Sequence, residues 1–475
     1  MNSRLRVLLL IIGLITIAGV TYLVSPKILS LYFQIKGGQL INNALKVVED
    51  IPDLNITCKS LPESRRGVQA RVNESITLLR RSLDFNPTNA QANLLLGRAY
   101  CLIGDPATAE NYYQGYISLR PKNPLGQLGY GFTREALGDP TTAVQAWRIA
   151  GLTAEYFVEA GNEAVREDRY EDSLRWFERA TWMDPDLAQA WLQLGLAYDQ
   201  MGQSEQALAA LQTAWDLDPA ISTSALATSL TELEDYQGAE VILDQVLITH
   251  PESPDRLDWF RTLGKVTRAM EKWEKASSVY QRAIQEFPEQ PDLYIELGLV
   301  MYEQGESLDV ARSEIEKAIH LNEQSGDGYY ALARLLTQAA RYDEADEYYQ
   351  AAIQRAPQNR WYMVSWGDNA RLSGDITEAI DIYQDAIQKF PEFVNAHYQL
   401  ALAYRLNGEA DEAIAAIEKA MEIMNPPVVQ IYVRAGEIYR WAGLDDRALT
   451  AYRQALILDP DNPTARRGLA LLDSE

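Results

Sequence analysis

Histidine and cysteine are nearly missing from this chain, and their scarcity removes whole classes of chemistry. The three histidines, His250, His320 and His397, lie far apart, and the two cysteines, Cys58 and Cys101, lack the paired spacing of zinc ligands. No metal centre is expected. No catalytic residue and no cofactor are expected either, because a nucleophile–base–acid constellation has too little histidine to be built from. Gly326-Asp327-Gly328 follows no strand and reads as the start of a helix rather than a phosphate loop. Positive charge is also short: 43 Lys and Arg stand against 67 Asp and Glu, a formal net charge of −24. Phosphate neutralisation needs clustered cations, so nucleic acid is excluded as a partner. The cysteines admit two readings, a Cys58–Cys101 disulfide in an exported chain or two buried thiols acting as small hydrophobes.

Charge is absent altogether from Val7 to Val24, which follow Arg4 and Arg6. At about 1.5 Å of helix rise per residue this run nearly matches a hydrocarbon core about 30 Å thick. No small-residue cleavage site follows near Tyr22 and Leu23, so residues 1–26 read as an uncleaved signal-anchor transmembrane helix. Arg4 and Arg6 keep the short flank cytoplasmic and place the remainder outside the cytoplasm. The reversed topology would make the chain a cytoplasm-facing adaptor. Residues 27–89 read as a spacer and a degenerate amino-terminal capping repeat. Gly37-Gly38 suggests a break, while Ser75, Leu79, Ser82 and Pro87 fall in register with the repeat that begins at Ala90.

From Ala90 a unit of about 34 residues recurs, clearest from Ala188 to Pro219. With Ala188 as position 1, position 8 is Gly97, Gly131, Gly161, Gly195, Ala227, Gly264, Gly298, Ala333, Gly367, Ala401 and Gly436, always Gly or Ala. Glycine inside a helix costs roughly 0.5–1 kcal/mol against alanine, so its recurrence implies a second helix in near contact. Position 20 is again small (Ala109, Ser173, Ala379), and position 24 is a bulky filler (Tyr113, Trp147, Phe177, Tyr383) on the same face. Pro121, Pro185, Pro219 and others then end the unit.

This joint pattern resembles the tetratricopeptide repeat family, whose motif is a helix–turn–helix of 34 residues. The resemblance implies an all-α fold, a right-handed α-solenoid of about 11 TPR helix pairs over residues 90–462. Residues 463–475 supply a carboxyl-terminal capping helix. The second unit is about four residues short near Ala150, and the fifth has Thr223, Ala227 and Leu230 at weak positions, so local changes in stacking are expected near 150–155 and 220–232. In the resembling family the first helices line a groove that grips extended peptides or partner helices, mainly through positions 2, 5, 9, 12 and 13. Here those positions carry Arg261, Lys265, Arg268, Arg334, Arg371, Arg405 and Arg440, with Tyr330, Trp361, Tyr398 and Trp441 nearby. Arg371, Arg405 and Arg440 share position 12 in consecutive units and should form a ladder, since packed helices lie about 8–10 Å apart. Guanidinium groups beside aromatic rings suit acidic peptides, carboxylates or sugar rings. The family's carboxylate clamp is not completed around Asn162.

Two functions follow as expectations. One is a non-enzymatic scaffold that binds protein or peptide partners at the membrane surface, in envelope or secretory assembly. The other is a glycan-binding accessory protein in polysaccharide or glycoconjugate export.

Overall fold

The computed structural model describes residues 26–46, 57, 58, 61 and 66–472, and among them there are α-helices and no strand. The chain divides into two compact units, one through Ser229 and one from Leu230. The division falls inside helix Pro219–Glu232, where the repeat pattern is weakest. The expected anchor, residues 1–26, lies outside the described residues except for Pro26. Among the described residues no helix is long and apolar enough to cross a membrane.

One pair shows how the sequence makes the unit. The Asn359 side chain accepts from the Trp361 amide and starts helix Arg360–Ser373, which ends at Gly374 in the left-handed region (φ 98°). One residue later the Asp375 carboxylate accepts from the Glu378 amide and starts helix Ile376–Lys389. The two helices then close on each other. A Cβ built on Gly367 would lie 2.5 Å from Tyr383 Cε1, and one on Gly264 would lie 2.3 Å from Tyr280 Cζ. Position 8 is therefore small because the bulky position 24 side chain lies against its backbone. Those rings, Tyr280, Tyr349, Tyr383 and Tyr452, are fully buried.

Position 15, the turn between the helices, is a feature that the small-and-large pattern does not include. Its φ is positive in every unit: glycine supplies it at Gly104, Gly138, Gly202, Gly305, Gly374, Gly408 and Gly443, and Asp168, Glu234, Glu271 and Ala340 supply it in the others. A left-handed conformation costs an L-residue about 1–2 kcal/mol, so four turns carry local strain.

The amino-terminal segment lacks the break expected at Gly37-Gly38. Helix Pro26–Lys46 runs through Gly37-Gly38 without a break and packs along helix Arg66–Phe85. A Cβ on Gly37 would lie 2.7 Å from Leu79 Cγ, and Ser75 Oγ donates to the Gly37 carbonyl at 2.7 Å. Gly37, Ser75 and Leu79 thus play the parts of positions 8, 20 and 24. An insertion separates the two helices. Within it Cys58 is disulfide-bonded to Cys101, and the Leu61 amide donates to the Leu102 carbonyl at 2.8 Å.

The short second unit changes the stacking. Helix Pro140–Ala150 stops at Gly151 (φ 87°), and its backbone comes against helix Tyr170–Met183, a second helix, in place of the first helix Ala154–Arg166 that follows it. Aromatic rings fill the wider space: Phe132 to Trp147 at 5.2 Å, Trp147 to Phe157 at 5.1 Å and Phe157 stacked on Trp176 at 5.8 Å between centroids. None of the four is more than 2% exposed. At the other end of the chain, helix Pro463–Leu472 closes the last pair, with Gly468 pressed on the Tyr452 ring.

Candidate functional site

In the unit from Leu230, the first helices present the residues singled out from the sequence, but many of the cations are already partnered. Arg261 forks onto Asp292, Nε to Oδ2 at 2.7 Å and Nη2 to Oδ1 at 2.9 Å. Arg268 forks onto Glu303 at 2.8 and 2.6 Å and also reaches Glu296 at 2.8 Å. Those three carboxylates stand on the next first helix, Pro291–Glu303, so the two helices are zipped by charge. Lys265 between them is exposed.

The expected ladder is occupied in a looser way. Arg371 reaches Asp368 at 3.1 Å, and Asp368 also accepts from the Tyr383 hydroxyl at 2.8 Å. Burial and the Asp368 charge push the Tyr383 hydroxyl above its ordinary range. Arg405 lies 3.5 Å from Glu437, which Arg434 approaches to 2.6 Å. Arg440 is exposed and hydrogen-bonds the Tyr452 hydroxyl, while exposed Arg334 lies over the Tyr330 ring at 5.7 Å. Tyr330 is half-buried, stacked on Tyr362 at 4.4 Å and bonded to Ser365, a contact between consecutive repeats.

The charge balance of this face still differs from the rest. Helices Arg360–Ser373, Val394–Asn407 and Val429–Trp441 carry five arginines (Arg360, Arg371, Arg405, Arg434, Arg440) against two carboxylates, Asp368 and Glu437. The second helices Tyr342–Arg355, Ile376–Lys389 and Ala410–Ile423 carry eleven carboxylates against three cations. Positive charge is concentrated on the first-helix face of a strongly acidic chain.

Two clefts open there. The larger, about 620 Å³, lies at the starts of those three first helices and is lined by Arg360, Trp361, Phe393, Tyr398, Val428 and Ile431 among others. Trp361 is 50% exposed and meets Phe393 edge-on at 4.9 Å, with the Arg360 guanidinium 4.6 Å from the Phe393 ring. The second, about 340 Å³, gathers Arg268, Glu303, Arg334, Tyr349, Asp368 and Leu372. The structure thus brings Trp361 and Tyr398 together, and Arg268 with Arg334. Arg261, Lys265, Tyr330, Arg371, Arg405, Arg440 and Trp441 line neither cleft. The repeat pattern alone singles out neither the carboxylates nor Phe393. An acidic residue one turn away, or on the next first helix, would have signalled the former.

Residues 78–111, 188–221, 326–359 and 364–426 match family profiles described as tetratricopeptide repeat, and residues 264–305 match one described as TPR repeat. These segments are tetratricopeptide repeats. Among curated proteins the chain is similar to anaphase-promoting complex subunit 3 of Schizosaccharomyces pombe, 23% identical over 56% of this chain and 40% of that protein. It is also similar to the human protein O-mannosyl-transferase TMTC3, 21% identical over 60% of this chain and 29% of that protein. The chain therefore spans less than half the length of these two relatives. Among solved structures, yeast Tom70 aligns with 91% of this chain and 97% of its own at 14% identity and a TM-score of 0.46.

In the unit ending at Ser229 the same tetratricopeptide positions look different. Position 12 is Cys101 in one repeat and Glu135 in the next, and the chain's own insertion lies on both. Thr57 and Cys58 form one wall of a cavity of about 250 Å³ whose other walls include Phe132, Glu135, Trp176 and Arg179. Arg179 is 6% exposed; its Nε donates to Glu135 at 2.8 Å, and its guanidinium sits 4.2 Å from the Trp176 ring. Burial pushes the Glu135 carboxyl up, against the pull of Arg179. The first helices Ala90–Leu102, Pro124–Ala136, Ala154–Arg166 and Ala188–Gln200 carry three arginines (Arg98, Arg134, Arg166) and no lysine against five carboxylates, so the basic bias is missing from these repeats as well.

Proposed function

We propose that the chain is a non-enzymatic scaffold whose first-helix face, from Arg334 to Trp441, binds an extended acidic segment of a protein partner. The observation that carries this is the joining of a net positive face to a cleft of about 620 Å³ with a half-exposed tryptophan. Exposed aromatic and arginine side chains in a cleft are the residue types that dominate binding energy. The cleft supplies apolar contact, and the arginines supply orientation and charge. Arg261 and Arg268, held by three carboxylates, serve the stacking of repeats. Arg334, Arg371, Arg405 and Arg440 serve the partner.

A membrane-surface setting fits the uncharged run Val7–Val24, and an extracytoplasmic one fits the Cys58–Cys101 disulfide, because such bonds persist in oxidising compartments. A secretory or envelope assembly role is part of the proposal. Exposed Trp361 beside Tyr398, Asn395 and Gln430 favours a second reading, a glycan seated on the indole face.

The test is titration of the full chain with arrays of fifteen-residue peptides graded in net charge and, separately, with oligosaccharides. Acidic peptides should bind with an affinity that falls as salt rises, and the double change Arg334→Glu with Arg440→Glu should abolish that binding while the melting curve stays in place. Binding by sugars with no peptide response would favour the glycan reading. Peptide binding indifferent to both charge and the double variant would overturn the groove assignment.

A further inference from the structure

Helix Pro26–Lys46 has one face more apolar than packing requires. Ile28, Leu31, Tyr32 and Ile35 are 59%, 51%, 50% and 49% exposed, and their spacing places them on one stripe of the helix. The opposite side does the packing: Ser30, Gly37 and Ile41 are buried against helix Arg66–Phe85. Single exposed apolar residues are ordinary, but four contiguous ones within eight residues mark a surface that something covers.

Two further features name the occupant. The helix contains no acidic residue, in a chain with 67 of them; its charges are Lys27, Lys36 and Lys46. A run with only positive charge suits an anionic surface. The uncharged run ends at Val24, so the stripe begins only four residues beyond it in sequence. The stripe itself rises about 10 Å, the scale of the layer of about 5–8 Å between hydrocarbon and water in each leaflet when a helix tilts. Lys36 folds its ammonium to 5.3 Å from the Tyr32 ring, an amphipathic arrangement that keeps apolar stem and ring together below a charged tip.

We propose that the Ile28–Leu31–Tyr32–Ile35 stripe lies in the headgroup region of an anionic lipid surface, so that the first hairpin rests on the membrane in place of holding the repeats away from it. This rests on the membrane-anchor reading of Val7–Val24. The hairpin then fixes the first repeat against the lipid plane through Ser30, Ser75 and Ser82, whose hydrogen bonds tie its two helices.

The experiment uses the full chain with its native cysteines bridged and one added cysteine carrying a nitrobenzoxadiazole dye. Leu31→Cys and Ile35→Cys report the stripe, Ile15→Cys the anchor, and Ile457→Cys an exposed site remote in sequence. The chains are reconstituted in phosphatidylcholine–phosphatidylglycerol vesicles with a lipid nitroxide placed just below the headgroup. Quenching at 31 and 35 should exceed that at 457 several-fold and weaken when phosphatidylglycerol is omitted. Strong quenching at 15 with none at 31 and 35 would overturn the stripe assignment and leave the anchor intact. Absence of quenching at all three sites would overturn both. Dyes at 31 and 35 that are shielded from aqueous iodide yet unquenched by lipid would assign the stripe to a second copy of the chain, and would also overturn it.

Discussion

In the first two repeats from Ala90, position 12 is a cysteine bonded to the chain's own insertion and a glutamate held by buried Arg179. In the last three repeats of the unit from Leu230 the same position is Arg371, Arg405 and Arg440, half-buried or exposed. The contact inside each pair is unchanged between them: Gly131 meets Trp147 as Gly367 meets Tyr383. Folding therefore depends on positions 8, 20 and 24, while positions 2, 5, 9, 12 and 13 are free to differ. The insertion covers that face in the first two repeats, and the last three repeats leave it open.

The sharpest way to break this contrast is to treat two tryptophans alike. Trp147→Ala, in the aromatic wedge, removes a ring with no exposure and should cost about 3–5 kcal/mol in denaturant unfolding. Trp361→Ala, at the half-exposed cleft, should cost under about 1 kcal/mol. Equal losses would mean that the cleft ring is structural. Next in size is the disulfide. Cys58 and Cys101 are 43 residues apart, and a closed loop of that size stabilises by about 3–4 kcal/mol. Cys58→Ser with Cys101→Ser should lower hydrogen-exchange protection in helices Ala90–Leu102 and Pro124–Ala136 and leave helices beyond Leu230 unchanged.

A third test separates the two kinds of arginine. Arg268→Met strands Glu296 and Glu303 and should cost about 1–2 kcal/mol, since charged groups left without their hydrogen bonds are destabilising. Arg440→Met, on the exposed ladder, should change stability by less than about 0.5 kcal/mol. Comparable losses would erase the division between stacking and binding arginines. The smallest effect belongs to the turns. Ala340→Gly should stabilise by about 0.5 kcal/mol, because relief of the left-handed strain slightly exceeds glycine's greater unfolded-state freedom. The control Gly374→Ala should destabilise.

Much of the repeat was legible because its lock is local: a small residue and a ring sixteen positions later recur where helices touch. Three things escape that logic. Gly37 and Leu79 make the same contact 42 residues apart, because the insertion carrying Cys58 displaces the first helix, not the second, from its expected window. Position 15 is set by backbone torsion, and Asp168 or Ala340 there gives no hint of the left-handed turn that Gly202 advertises. The basic strip looks unpaired when its arginines are taken one helix at a time. Asp292, Glu296 and Glu303 neutralise Arg261 and Arg268 from the following repeat, and only the stacking brings them together.

The most direct test of an open face in the last three repeats and a covered face in the first two compares one repeat position in both. A photo-crosslinking amino acid at Ala136 and at Trp441, both position 13, is activated in cells and its adducts are sequenced. Trp441 should join a discrete acidic segment of another protein, while Ala136 should join this chain near Thr57. Partner adducts formed as readily at Ala136 as at Trp441 would contradict that contrast.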